Sequence, residues 1–208
     1  MFRLLLTGFS CALLLACASP APVPTDDTLD AEATDSSAMA IEVPERPFPD
    51  DSIYPLLLAE FALRRGAYDV ALEQYLEQAP RLRDAGVSEH TTHLAQFMGK
   101  EDTALASVQL WIELEPDNAE ANNTLAILLI RQGRATEAVP YMAKLASLGE
   151  DVNFPALLSG FNELGPSQRE SLLLGINQLA QDYPDDTQLL LTQAMVFAEQ
   201  EQLDPALD

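Results

Sequence analysis

The chain has 208 residues, of which 33 are acidic and 11 basic, and its formal net charge is −22. This charge disfavours nucleic acid and anionic lipid as ligands of its surface, because both are bound through clusters of Lys and Arg. Apolar residues make up 48% of the chain, which is enough for a folded core of one or two domains.

Residues 1–16 have the pattern of a secretory signal peptide, with a basic Arg3 followed by an apolar run from Leu4 to Ala16. As a helix the run would reach only about 20 Å, short of the roughly 30 Å of a hydrocarbon core, so a membrane span is disfavoured. A second cysteine of the segment, Cys11, would be removed with it.

The run ends in Leu14-Leu15-Ala16-Cys17, which resembles the lipobox of bacterial lipoproteins. In that family the cysteine sulfur carries a diacylglycerol, and the chain is cut before the cysteine. The resemblance implies a covalent lipid on Cys17 and an outer-membrane location facing the periplasm, because no Asp follows the cysteine. The alternative is ordinary cleavage after a small residue, which leaves Cys17 unmodified.

Residues 17–51 are predicted to form a flexible tether after the lipidated cysteine. Between Ala18 and Asp51 the chain has six of its 14 prolines, nine acidic residues and one basic residue, Arg46. Such a segment buries too little apolar surface to offset the entropy of ordering it. The alternative is that residues 41–48 fold on contact with a partner.

The rest of the chain, residues 52–208, repeats itself with a period of 34 residues. The recurring residues are Gly66, Gly99 and Gly133; Ala71, Ala104 and Ala138; and, two periods apart, Pro116 and Pro184. A glycine between two helices and a proline after the second resemble the tetratricopeptide repeat, a helix-turn-helix unit that stacks into a superhelix. The resemblance implies an all-α fold, an α-solenoid; another irregular stack of helical hairpins is the alternative.

In this register the units are residues 52–84, 85–118, 119–152, 153–186 and an incomplete 187–208. Each unit needs small residues where its two helices cross, because they let the helix axes approach closely. The first helices supply Ala59, Thr92, Ala126, Gly160 and Ala194, and the second helices Ala71, Ala104, Ala138 and Ala206. The fourth unit has Leu172 at this position and Gly165-Pro166 in its turn, so we expect looser packing there. Since the fifth unit stops early, we also expect the sequence to be a fragment of a longer array.

The only two histidines, His90 and His93, are three residues apart and could share a helix face. A metal site would need further ligands, and a general base would need a nucleophile beside it. No catalytic motif is present, so neither a metal site nor an enzyme is predicted, and no cofactor is expected besides the lipid.

In this repeat family, certain residues of each first helix line the concave face, where a partner protein binds. Carried over to this chain, they are Ile53, Leu56, Glu60, Leu63, Glu89, His93, Gln96, Phe97, Asn123, Ile127, Ile130, Arg131, Phe154, Leu157, Phe161 and Leu164, with Leu191 and Met195 in the fifth unit. The apolar members predict that a helix or an extended segment docks there. The alternative is that these side chains pack within the superhelix or against the tether.

Two stretches, DSIYPLLLAEFALRRGAYDVAL (residues 51–72) and LWIELEPDN (residues 110–118), resemble a narrower group. These are the pseudomonad tetratricopeptide outer-membrane lipoproteins that partner the periplasmic carboxyl-terminal processing protease. That resemblance implies an adaptor that activates the protease and helps to deliver its substrates, which include cell-wall hydrolases. The alternatives are an assembly factor for an envelope machine, such as a pilus, a secretin or a peptidoglycan synthase, and the N-terminal part of a larger enzyme.

Overall fold

The structure, a computed structural model, describes residues 48–203. The predicted signal peptide, Cys17, most of the tether and Ala206 lie outside this range. Within it every regular element is helical: α1 (Ile53–Arg64), α2 (Tyr68–Leu82), α3 (Ala85–Phe97), α4 (Glu101–Leu114), α5 (Ala119–Arg131), α6 (Ala135–Ser147), α7 (Pro166–Asp182) and α8 (Thr187–Leu203). Short 3-10 helices precede α1 at Asp50–Ser52 and separate α6 from α7 at Phe154–Leu158 and Phe161–Glu163. The predicted all-α solenoid is confirmed.

The first six helices form three hairpins that stack in chain order. The helices of each pair, α1 and α2, α3 and α4, α5 and α6, pack on each other, and each second helix packs on the first helix of the next pair. Helices α3 and α5 begin at Ala85 and Ala119, where the second and third units were expected to begin. None of the helices in residues 48–203 is long and apolar enough to cross a membrane.

One turn geometry occurs in all three hairpins. Gly66, Gly99 and Gly133 have φ angles of 72°, 68° and 71°, in the left-handed region that glycine adopts at least cost. The amide N–H of the residue after each glycine donates to the carbonyl oxygen five residues earlier, at 2.9 Å in each hairpin. This backbone pattern satisfies the last carbonyls of the first helix, and the three glycines lie between two helices as predicted.

The junctions between hairpins are capped by side chains. The Asp84 carboxylate accepts from the amide of Val87, and the Asn118 side chain accepts from the amide of Ala121, each at 3.0 Å. Pro116 follows the end of α4 by two residues, as expected of a residue that cannot continue the helix. Local residues therefore set these boundaries: Pro116 follows the end of a second helix, and Asp84 and Asn118 cap the first helices that come next.

The core follows the predicted small residues. Ala59, Ala71, Ala104 and Ala138 are completely buried, and Ala126 is 1% exposed. Large apolar side chains fill the layers beside these crossings, among them Tyr75, Trp111, Leu125, Met142 and Leu145. The helix axes approach closely at the alanines, and the large side chains fill the space beside these crossings. The three hairpins therefore share one continuous core.

The fourth unit does not form a helical hairpin. Its expected first helix is replaced by the two 3-10 helices, and Gly160, expected at a helix crossing, is an exposed linker with φ of 72°. Leu172 is completely buried on α7.

The small residue that faces α6 in this region is Gly175. A Cβ atom at Gly175 would lie 3.1 Å from Val139 Cγ1. The close approach has thus moved by about one helical turn from the predicted position. Between α7 and α8 a cavity of about 100 Å³ remains, lined by Leu173, Ile176, Asn177, Gln193, Val196 and Phe197. The cavity agrees with the looser packing expected of this unit, whereas the loss of its first helix was not predicted.

Candidate functional site

The candidate site is the row of first helices α1, α3 and α5. Three of the predicted docking residues are large, apolar and open to solvent: Ile53 is 52% exposed, Phe97 71% and Ile127 44%. Leu56 and Leu63 are half-buried beside them on α1, and Asn123 is exposed one turn before Ile127. We call the predicted first-helix residues of these three helices the groove residues; they include both apolar and polar groups.

Some predicted docking residues are inside the protein instead. Ile130 is only 8% exposed, because the last turn of α5 packs into the core. In the fourth unit Phe154 and Leu157 are completely buried and Phe161 is 4% exposed. The prediction placed all three on a regular first helix; with the 3-10 helices in its place, they fill the space that the helix would occupy. Leu164 is half-buried in the segment before α7.

Leu191 and Met195, predicted in the fifth unit, are 50% and 40% exposed on α8.

Polar groove residues are held by hydrogen bonds to neighbouring helices. Glu60 on α1 accepts a 2.5 Å bond from the hydroxyl of Tyr75 on α2. Burial raises the pKa of Tyr75 well above its ordinary value, and the bond to the Glu60 carboxylate raises it further. The Tyr75 hydroxyl is therefore a fixed donor, and it sets the position of Glu60 at the side of the groove.

His93 lies at the centre of the row and joins two units. Its Nε2 atom is 3.1 Å from Oε1 of Glu120 on α5, and its ring packs edge-to-face on Trp111, with centroids 5.7 Å apart. Trp111 is 1% exposed, so the imidazole covers the core at the junction of α3, α4 and α5. Glu89 and Gln96, on the same helix, are half-buried.

Two contacts at the ends of the first helices were not foreseen from the sequence. The exposed Phe97, the last residue of α3, packs edge-to-face on Tyr68, the first residue of α2, at 5.1 Å between centroids. Arg131, the last residue of α5, forms an ion pair with Glu101, the first residue of α4. Both pairs join the start of a second helix to the end of the next first helix. The period of the repeat could have revealed them, because the two pairs occupy equivalent places.

The chemistry of the site is that of a binding surface. His90 packs on Tyr75 at 5.0 Å between centroids, whereas His93 contacts Trp111 and Glu120, so the two histidines serve different contacts. Among residues 48–203 no three metal-ligating side chains come together. What these helices offer to a ligand is exposed apolar area bordered by fixed polar groups, which suits a protein segment.

The chain was compared with known proteins. No family model matches it. It is 36% identical, over 173 residues, to TPR repeat-containing protein PA4667 of Pseudomonas aeruginosa; the match covers 81% of this chain and 29% of that protein. The chain thus spans less than a third of the length of this relative. The crystal structure of YrrB, described as a TPR protein with an unusual peptide-binding site, matches 70% of this chain and 76% of its own, with 17% identity and a TM-score of 0.43.

Proposed function

We propose, from the premise that this chain is a tetratricopeptide-repeat protein, that it is an interaction scaffold whose groove residues bind a segment of a partner protein. The observation that carries the proposal is the exposure of Ile53, Phe97 and Ile127 on three consecutive first helices. Large apolar side chains open to solvent on successive elements are typical of surfaces that a partner covers.

The charge of the chain indicates what kind of segment would bind. With a net charge of −22, the protein attracts basic groups and repels acidic ones. In the groove the cation Arg131 is already paired with Glu101, while Glu60 and Glu89 add negative charge. The segment that fits is therefore apolar on the face it buries, and neutral or basic at its edges.

The finer proposal is an adaptor of the periplasmic carboxyl-terminal processing protease in the turnover of cell-wall hydrolases. It rests on the resemblance of residues 51–72 and 110–118 to the lipoprotein partners of that protease. A scaffold that holds an enzyme and its substrate raises the concentration of each at the other without contributing catalytic groups.

Binding to the protease is tested with a double substitution that places two charged residues in the groove. Ile53→Glu together with Ile127→Glu should weaken binding of the purified protease by tenfold or more, because apolar contacts are replaced by buried charge, a loss of about 1.4 kcal/mol per tenfold. Leu174→Glu is the matched control, since Leu174 is 65% exposed on α7, away from the first helices. Calorimetric titration measures the affinities; equal affinity of the groove variant and the wild type would refute the groove as the docking site.

The place of action is proposed to be the periplasmic face of the outer membrane, through lipid on Cys17. Acyl chains would hold the protein there, with about 0.8 kcal/mol from each buried CH₂ group. Cys17→Ser should move the protein to the soluble periplasm or leave it unprocessed, as followed by membrane fractionation. Unchanged outer-membrane fractionation of this variant would exclude the lipid anchor and leave the groove proposal intact.

A further inference from the structure

The first helix has an open apolar face beside the groove. Tyr54, Leu57 and Phe61 lie three and four residues apart on α1, so they form one stripe. Their exposed fractions are 74%, 52% and 60%. We call this stripe, together with Arg64 and Arg65 at the end of α1, the outer face of α1.

The equivalent residues of the next two units show what covers this face of a first helix elsewhere in the stack. In α3 and α5 the residues equivalent to Phe61 are Leu94 and Leu128, which are 7% and 0% exposed. Each lies on a first helix on which the second helix of the preceding unit packs: α2 on α3, and α4 on α5. The face that carries the stripe on α1 is thus the face that joins unit to unit along the stack.

Contacts at the equivalent of Leu57 support this assignment. His90 of α3 stands at that place and packs edge-to-face on Tyr75 of α2, the preceding second helix. In α5 the equivalent residues of Tyr54 and Leu57 are Ala121 and Thr124, which are 0% and 8% exposed. The outer face of α1 therefore corresponds to an interface that is buried on α5 and partly buried on α3, where His90 stays exposed, although no helix precedes α1 among residues 48–203.

The charged end of the face indicates the chemistry of what binds. Arg131 ends α5 and pairs with Glu101, and the next residue, Gln132, donates from Nε2 to Oδ1 of Asp102 at 3.2 Å. These two acids are the first two residues of α4. A junction between units is thus closed by acidic residues in the first turn of the covering helix.

In the first unit the equivalents of Arg131 and Gln132 are Arg64 and Arg65. Both are exposed, and neither forms an ion pair with another residue of the described range. Two adjacent cations on so acidic a chain are suited to two adjacent acids, and the N-terminal turn of a helix is where carboxylates are most favoured.

We propose that the outer face of α1 binds an amphipathic α-helix of a partner protein, antiparallel to α1, with acidic residues in its first turn against Arg64 and Arg65. This helix takes the place that α4 takes on α5. The outer face shares no residue with the groove residues, so the inference goes beyond the proposed function and does not depend on it.

The test uses α4 itself as the probe, because α4 already covers an equivalent face. A synthetic peptide of residues 101–114 is stapled between positions 109 and 113, whose side chains on α4 are exposed, since so short a helix is marginal in water. Saturable binding to the purified protein is measured by fluorescence anisotropy. Arg64→Glu with Arg65→Glu should weaken it by about tenfold or more.

Charge reversal separates the proposed contact from a change in folding. A peptide with Glu101→Lys and Asp102→Lys should bind the wild type poorly and bind the Arg64→Glu, Arg65→Glu variant well. Phe61→Ala should also weaken the original peptide, whereas Ile127→Glu in the groove and Leu174→Ala on α7 should leave it unchanged. A failure in this experiment is thus distinguishable from a failure of the groove proposal.

Three results would overturn the inference. The first is no saturable binding of the stapled peptide, and the second is equal binding of both peptides to both charge forms. The third is self-association of the protein, seen by sedimentation and abolished by Phe61→Ala, which would assign the face to a second copy of the chain.

Discussion

The second and third units differ from the segment that follows them in whether the expected first helix forms. From α3 to α6 two hairpins repeat the same turn, the same buried small residues and the same contacts between units. From residue 153 to α7 the repeat period continues in the sequence, yet two 3-10 helices stand where a first helix would be. A repeat spacing therefore fixes where helices can cross, and the local backbone decides whether each helix forms.

The reasons lie in a few residues of the irregular segment. Gly160 takes a left-handed conformation in the middle of the expected helix, which an α-helix cannot contain. Arg169 on α7 stabilises the alternative: its Nη2 atom donates to the Asn162 carbonyl at 2.6 Å, and its Nε atom to the Phe161 carbonyl at 3.1 Å. The irregular segment is thus stabilised by the Arg169 hydrogen bonds as well as by its buried apolar side chains, whereas the regular units have the repeated backbone turn and the alanine crossings.

The largest expected effect compares one deletion in each region. Leu128 on α5 and Leu157 in the 3-10 helix are both completely buried. Replacing a buried Leu by Ala costs about 2–5 kcal/mol, and the cost rises with the cavity that persists. We expect Leu128→Ala near the upper end, because α4, α5 and α6 hold its surroundings rigid, and Leu157→Ala near the lower end. Urea unfolding measures both; a larger loss for Leu157→Ala would contradict the view that the irregular segment yields more easily.

Overpacking tests the helix crossing in a regular unit. Ala138 is completely buried on α6, so Ala138→Leu would force bulk between α5 and α6 and is expected to lower the free energy of unfolding by about 1–3 kcal/mol. Ala106→Leu on α4 is the control, since Ala106 is exposed and Leu is nearly as good a helix former as Ala. If Ala138→Leu left the melting temperature unchanged, the assignment of Ala138 to the crossing would be wrong.

A smaller effect is expected at the shifted crossing of α6 and α7. Alanine in place of a helical glycine gains about 1 kcal/mol, but a Cβ at Gly175 would lie 3.1 Å from Val139. We therefore expect Gly175→Ala to be nearly neutral alone and stabilising by about 1 kcal/mol in a Val139→Ala background, where the Cβ has room. Thermal unfolding of the four proteins in this cycle gives the coupling energy, and zero coupling would show that Gly175 is not the close-approach residue.

Much of the regular region could be predicted from the sequence, because each turn, helix end and helix cap there depends on a single nearby residue. Gly133 needs a left-handed turn, Pro116 stops a helix and Asn118 caps one, and each rule acts within a few residues. The fourth unit obeyed the period as well, but the competition between a helix and two 3-10 segments depends on what Phe161 and Leu157 can bury. That balance depends on tertiary packing, because α6 and α8 both pack on the Phe154–Leu158 helix and α8 begins 29 residues after it.

The candidate site was predicted less completely for the same reason. A repeat register places Ile53, Phe97 and Ile127 on one side of their helices, and they are exposed there. It does not state that Ile130, on the same helix as Ile127, turns into the core. The stripe on α1 was also missed, although Tyr54, Leu57 and Phe61 have helical spacing, because the sequence of a unit does not show whether another helix packs on its outer face.

The smallest expected effects compare an arginine from each region. In the irregular segment Arg169 is half-buried, binds two backbone carbonyls and lies 5.6 Å from the centroid of the Phe161 ring, so Arg169→Ala leaves carbonyl acceptors without a donor. We expect it to cost about 1 kcal/mol. In the regular region Arg131 pairs with Glu101 in the open, with 57% and 36% of their side chains exposed, and Arg131→Ala should cost less than about 0.5 kcal/mol. Salt distinguishes the two further: at high ionic strength the effect of Arg131→Ala should vanish, while that of Arg169→Ala persists, because hydrogen bonds to carbonyls are screened little. If urea unfolding showed the reverse order, the regular units would be joined by their ion pairs and the irregular segment by packing alone.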